Sequence, residues 1–218
     1  MIRHLRLAQC DSTQDELKRQ LDTYDLITTL QQTAGRGRGE NVWDHYQGAL
    51  AFSFQATAHP DLTWQSLEVA VSLAMSLDVV LGVTVDLKWP NDLYRSNKKC
   101  GGILLNYHAP KMIVGVGLNL LQQPKNDWGF VLEAVPPLGE DWQHELPKQL
   151  VADYQKRHPM PKEEISQEWL KRCVHLGKTV TITDNGELTR GTFEGLGDHG
   201  EAIVSGRSIY NGTLRWAN

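Results

Sequence analysis

The strongest constraint on this chain is a change of texture at Gly177. Before it, helix-periodic and strand-like stretches are interspersed. After it come only short β runs, at 178–183, 189–194, 201–205, 208–210 and 213–216, punctuated by Asn185-Gly186, Gly197-Asp198 and Asn211-Gly212. Such dipeptides supply the backbone freedom that tight hairpins need. The pattern predicts an α/β (α+β) architecture: a mixed β-sheet domain packed with helices over 1–175, then a small barrel-like β domain over 176–218. A length of 218 residues suits one good-sized domain plus such an appendage.

Within the first part, a strand at 2–9 leads into Asp11-Ser12-Thr13, where the Thr13 and Glu16 spacing of a capping box predicts a helix start. Strands are expected at 26–30 and 48–54, with a glycine-rich, basic loop over 33–48 between them. The clearest helix is Thr63 to Leu81, because Leu67, Ala70, Val71, Ala74, Leu77 and Leu81 recur at three- and four-residue steps and Gly82 is a natural stop. Further strands are expected at 83–88, 102–107 and 112–118. The proline- and tryptophan-rich region 121–147 reads as irregular, followed by helices over 148–157 and from Pro161 through Cys173.

Charge and cysteine usage narrow the class. A formal charge of −4 without long runs of either sign gives no support to indiscriminate nucleic-acid or acidic-membrane binding. No continuous apolar run approaches the ~18 residues of a membrane span, and the N-terminus lacks a secretion-type apolar core. Cys10, Cys100 and Cys173 are odd in number and scattered, which fits reduced thiols in a cytoplasm. The eight histidines show no metal-ligand spacing, so no protein-built metal site is expected.

Two motifs fail on context. Gly177-Lys178-Thr179 resembles the end of a phosphate loop, but Arg172 stands where that loop needs glycine. Gly195 to Gly200 matches a dinucleotide fingerprint, yet Glu201-Ala202-Ile203-Val204 reads as strand rather than helix. It is expected to be a turn of the small β unit.

Four other segments converge on one kind of pocket. In Gln32-Thr33-Ala34-Gly35-Arg36-Gly37-Arg38-Gly39, glycines free the backbone and two arginines bring planar donors suited to phosphate or carboxylate; a basic surface loop would look the same. Lys88-Trp89-Pro90-Asn91-Asp92 places polar groups at a strand end, or is simply an Asn-Asp turn. Lys98-Lys99-Cys100-Gly101-Gly102-Ile103 enters a strand through two glycines. Val114-Gly115-Val116-Gly117-Leu118-Asn119 alternates glycine with apolar residues. Glycine in a strand marks close approach of a ligand or of another backbone, and both readings stay open. Together the four segments suggest an anionic ligand near phosphate.

In this order, the segments resemble the biotin–protein ligases: a strand ending in Ser12-Thr13, Gly-Arg-Gly-Arg with Trp43 downstream, Lys-Trp-Pro-Asn-Asp, Lys-x-Gly-Gly-Ile-Leu and Gly-x-Gly-x-Asn. The resemblance covers nearly the whole chain and implies an SH3-like C-terminal barrel. It implies that biotin and ATP, with Mg2+, give biotinyl-5'-AMP and pyrophosphate. A lysine of a biotin carboxyl carrier domain, part of a biotin-dependent carboxylase, then takes the biotinyl group. Arg38, Lys99, Asp92 and Lys88 would be catalytic, Asp92 orienting or deprotonating the incoming lysine. Ser12, Thr13, Gln14, Gln32, Arg36, Gly37, Gly101, Gly102, Gly115 and Gly117 would join Arg38 and Lys99 around biotin. Trp43, Asn91 and Asn119 would join them around ATP.

This chain departs from the family in the loop, where Gly39-Glu40-Asn41-Val42 precedes Trp43 in place of a further glycine-arginine pair. An acidic residue there is expected to weaken or retune adenylate retention. The larger members carry an N-terminal helix-turn-helix. This chain begins almost at the strand before Ser12, so ligase activity without DNA binding is expected. Exposed sheet edges can pair with another chain, and a homodimer joined through them is carried as an expectation. The closest rival is a lipoate or octanoate ligase or transferase of the same fold; non-catalytic biotin binding and a nucleic-acid module fit the motifs less well.

Overall fold

A computed structural model describes residues 1–39, 41–122 and 128–216. A seven-stranded sheet forms its centre, built from β1 (His4–Leu7), β2 (Leu26–Thr29), β3 (Ala49–Thr57), β4 (Asp86–Lys88), β5 (Asp92–Arg95), β6 (Lys98–His108) and β7 (Lys111–Asn119). Their order across the sheet is β1-β2-β3-β7-β6-β5-β4. Only β1 and β2 are parallel, joined through α1 (Thr13–Arg19); every other neighbour is antiparallel. The β4 edge is covered, since Leu87 N donates to Arg172 O and Val174 N to Leu87 O.

Strand alternation divides the sheet into two unlike faces. On β7, Met112, Val114, Val116 and Leu118 point into the main core with Phe52 and Phe54 of β3. Against that face pack α2 (Gln65–Leu81), α3 (Trp142–Arg157) and α4 (Lys162–Lys171), through Leu67, Leu73, Leu77, Leu150, Tyr154 and Trp169. On the opposite face Ile113, Ile27 and Leu17 of α1 make a small second cluster. Beyond it, towards the end of β7, that face carries Gly115 and Gly117 in place of side chains.

Several element ends differ from the sequence-based expectation. The cap of α1 is Ser12, whose side chain accepts from Asp15 N; Thr13 is already helical and turns its hydroxyl to Ser53. The expected helix from Thr63 opens as a 3-10 turn, Leu62–Trp64, capped by Asp61, and α2 starts at Gln65. By length and mean hydropathy of 1.3, Leu62–Leu81 is apolar enough to cross a membrane, but 67% of that stretch is buried within the fold. It is the core helix. Gly82 ends it in the left-handed conformation, φ 65°. Helix α3 begins at Trp142, six residues before the expected 148, and runs through Pro147; that proline gives up one helical hydrogen bond where Leu146 and Leu150 are buried beneath it.

The C-terminal segment forms a five-stranded antiparallel sheet ordered β11-β10-β9-β8-β12, from β8 (Thr179–Asp184), β9 (Glu187–Leu196), β10 (Ala202–Val204), β11 (Arg207–Ile209) and β12 (Thr213–Trp216). Gly195 and Leu196 end β9 and residues 197–201 form the β9–β10 turn, so no helix opens after the glycines. Trp64 Nε1 and Trp89 Nε1 donate to the carbonyls of Asp198 and Gly200, at 3.0 and 3.2 Å, and pin this turn to the main domain.

Candidate active site

A cavity of about 410 Å³ lies over the glycine-bearing face of the main sheet, within the ~300–1,000 Å³ usual for small-molecule sites. Its floor follows from register. Ala51 pairs with Gly117 and Gly117 with Gly102, while Ser53 pairs with Gly115 and Gly115 with Leu104. Each residue of these two rows projects from the same face. A Cβ at Gly115 would come within 2.7 Å of the Gln14 side chain, and one at Gly117 would enter the Trp43 indole. The glycines therefore make room for two side chains that shape the cavity.

One wall comes from the start of α1 and the loop that follows β2. Gln32 Oε1 accepts from Thr13 N at 2.9 Å and Thr13 Oγ1 at 3.2 Å, and Thr13 Oγ1 meets Ser53 Oγ at 2.8 Å. Gln14 Nε2 donates to Leu104 O at 2.7 Å, which fixes its amide across the floor. The Gly-Arg loop folds back on itself: Trp43 N donates to Gly35 O, and Gly37 N to Asn41 O. Arg36 pairs with Asp15 at 2.7 Å, tying the loop to α1. Glu40, the acidic departure, lies outside the described residues.

The far end is charged. The β4–β5 hairpin carries Lys88 and Asp92, and β6 carries Lys99. Lys99 Nζ is 2.5 Å from Asp92 Oδ1, and Lys88 Nζ is 3.7 Å from Asp92 Oδ2. One carboxylate thus sits between two ammonium groups. Burial pushes the Lys88 ammonium down from the usual lysine range, and the Asp92 carboxylate partly offsets this. Asn91 Nδ2 donates to Ile103 O at 2.6 Å and holds the hairpin against β6.

Ser12, Thr13, Gln14 and Gln32 line this cavity, with Arg36, Gly37, Arg38 and Trp43 from the loop. So do Lys88, Asn91, Asp92 and Lys99, and Gly102, Gly115, Gly117 and Asn119 from the floor strands. Gly101 does not. A Cβ there would point towards Leu118 and Leu93 on the helix-packed face, because adjacent strand residues face opposite ways and Gly102 already faces the cavity. The sequence reading also missed several lining residues: Asn41, Val42, Trp128, and Thr213 and Leu214 of β12. Arg38 Nη1 and Nη2 donate to Gly212 O at 3.1 Å and Asn211 Oδ1 at 3.5 Å, so the loop and the C-terminal sheet meet over the site.

Two polar atoms in this region, Trp43 Nε1 and Asn119 Oδ1, are buried without a hydrogen-bond partner among the described residues. Buried polar groups are normally satisfied, so both are free to bond to a ligand. Among the described residues no group of three or more histidine, cysteine, aspartate or glutamate side chains gathers. What the site offers is a flat apolar floor, neutral amide and hydroxyl groups at one end, and cations at the other. That arrangement suits a ligand with an extended neutral part and an anionic end.

Residues 7–120 match the family model described as Biotin/lipoate A/B protein ligase family. The biotin–[acetyl-CoA-carboxylase] ligase of Paracoccus denitrificans is 30% identical over 92% of this chain and 93% of that protein. The bifunctional ligase/repressor BirA of Bacillus subtilis is 34% identical over 46% of this chain, but this chain spans only 34% of its length. Among solved structures, a biotin protein ligase from Aquifex aeolicus in complex with biotin and ATP superposes with a TM-score of 0.79 over 98% of this chain and 99% of that one. At 24% identity that likeness shows the fold.

Proposed function

This chain belongs to the biotin/lipoate A/B protein ligase family, and on that footing we propose that it is a biotin–protein ligase. The observation that carries the proposal is the glycine floor leading from the Gln14 amide to the Lys99–Asp92–Lys88 cluster beneath the Arg38 loop. Joining a carboxylate to a phosphate brings two anions together, and fixed cations offset their repulsion. In the first step a biotin carboxylate oxygen attacks the α-phosphorus of ATP, pyrophosphate leaves and biotinyl-5'-AMP forms. Lys99 and Arg38 neutralise the carboxylate and α-phosphate oxygens. Magnesium arrives with the ATP phosphates as part of the substrate.

In the second step a lysine amine attacks the biotinyl carbonyl, AMP leaves and an amide bond forms. Asp92 receives or orients the amine proton. The acceptor is a lysine on a biotin carboxyl carrier domain. The Trp43 and Arg36–Asp15 contacts keep the loop over the mixed anhydride and exclude water that would hydrolyse it. Three free thiols suit a reducing compartment. A homodimer would pair through β1, the edge of the main sheet not covered by residues 172–174.

Incubation with biotin, MgATP and an apo carrier domain tests this by carrier mass. A gain of one biotin that is lost with Lys99→Ala is expected. Transfer of lipoate or octanoate instead of biotin would overturn it in favour of the rival acid.

A further inference from the structure

Two aromatic rings, one from each sheet, enclose the Lys88 ammonium. Tyr94 of β5 and Trp216 of β12 stack with centroids 5.7 Å apart and planes inclined at 25°. Lys88 Nζ lies 5.6 Å from the Tyr94 centroid and 5.2 Å from that of Trp216, inside the ~6 Å reach of a cation–π contact. Lys88 is only 7% exposed, and the 3.7 Å contact to Asp92 is long for an ion pair. A desolvated charge held that loosely needs further stabilisation, and the two ring faces supply it.

The other charged groups facing Lys88 are Lys99 on β6 and Arg215 on β12. His175 also borders it: its ring is 6.3 Å from that of Trp216, and burial, with Lys88 and Lys178 acting in the same sense, pushes it down to about 3. Among the described residues, Asp92 is therefore the one carboxylate amid these cations. Under the ligase reading, on which this role of Lys88 rests, the acceptor lysine must reach Asp92 as a neutral amine. An ammonium fixed beside Asp92 disfavours a second ammonium there and so favours the nucleophilic form.

We infer that Tyr94 and Trp216 form an aromatic clamp that positions Lys88 beside Asp92 for the amine-accepting half-reaction, and that through Trp216 the C-terminal sheet takes part in transfer. Tyr94 and Trp216 are positioning residues in this scheme. The adenylate-forming step, which joins two anions at Lys99 and Arg38, does not depend on the clamp.

The experiment follows the two steps separately in the full chain, with Trp216→Leu and Trp216→Phe. Biotin-dependent pyrophosphate release reads the first step; single-turnover transfer from preformed biotinyl-5'-AMP to the apo carrier domain, measured across a pH series, reads the second. Trp216→Leu is expected to change pyrophosphate release by less than about twofold and to slow transfer about tenfold, the scale of one desolvated cation–π contact. Its transfer profile moves to higher pH, because an acceptor lysine with a less constrained cation beside it loses its proton later. Trp216→Phe, which keeps a ring face, restores most of the rate. Equal losses in both steps, or unchanged transfer, overturn the clamp while leaving the ligase reading in place. Absence of biotin-dependent pyrophosphate release from the unsubstituted chain overturns the ligase reading and the clamp with it.

Discussion

At Gly115 the absence of a side chain sets where the Gln14 amide can lie, and that amide reaches Leu104 O across the floor. A methyl group added there needs space that Gln14 already fills. The flexible glutamine can move, so the cost falls on the site more than on the fold. Gly115→Ala is therefore expected to weaken biotin binding about tenfold by isothermal calorimetry, with a change in melting temperature below about 4 °C. Unchanged affinity would remove Gln14 from the ligand-facing wall. This layout was partly legible beforehand, because glycines two apart in an apolar strand must share a face. Gly101 was misplaced because of two consecutive glycines only one can face the cavity, and sequence does not tell which. Trp128, Thr213 and Leu214 gave no signal, since they reach the site from segments distant in the chain.

Among the elements, the ends proved harder to read than the bodies. The β5 strand went unrecognised because its hairpin to β6 turns at Ser96 and Asn97, both at positive φ (50° and 62°), without the glycine that usually marks such a turn. The start of α3 was hidden by Pro147, which sequence rules treat as a breaker, although burial of Leu146 and Leu150 outweighs one lost hydrogen bond. One tie between elements was also invisible to periodicity. Glu68 of α2 is fully buried and accepts from Met160 N at 2.8 Å, with His158 Nδ1 at 2.9 Å. It joins the middle of the core helix to the turn between α3 and α4, on the sheet face away from the cavity. Glu68→Ala leaves Met160 N and His158 without this partner in a dry environment. A loss of about 3 kcal/mol in urea unfolding is expected, with biotin affinity unchanged. A loss below about 1 kcal/mol would mean that water replaces the carboxylate.

For the whole molecule, the change of texture at Gly177 marks a boundary in topology but not in packing. Val180, Ile182, Phe193, Ala202, Val204 and Leu214 belong to the same apolar cluster as Trp64, Leu67 and Trp169. The two sheets should then unfold together, and calorimetry near pH 7.5 is expected to show one transition. His175 makes the seam sensitive to acid. It is buried between Trp169 and Phe193, with Trp216 beyond, and burial pushes it down to about 3. His4 moves the same way, to about 4, again chiefly through burial. In the unfolded chain both titrate near 6.5, so between that value and their folded values the unfolded state binds more protons. Stability is full above about pH 6.5 and falls as pH drops through the window below it. The melting temperature is expected to be lower by about 5 °C or more at pH 5 than at pH 7.5, and His175→Leu to flatten part of that slope. Two separate transitions would show that the C-terminal sheet melts alone. An unchanged slope in His175→Leu would show that His175 gains its proton without the seam opening.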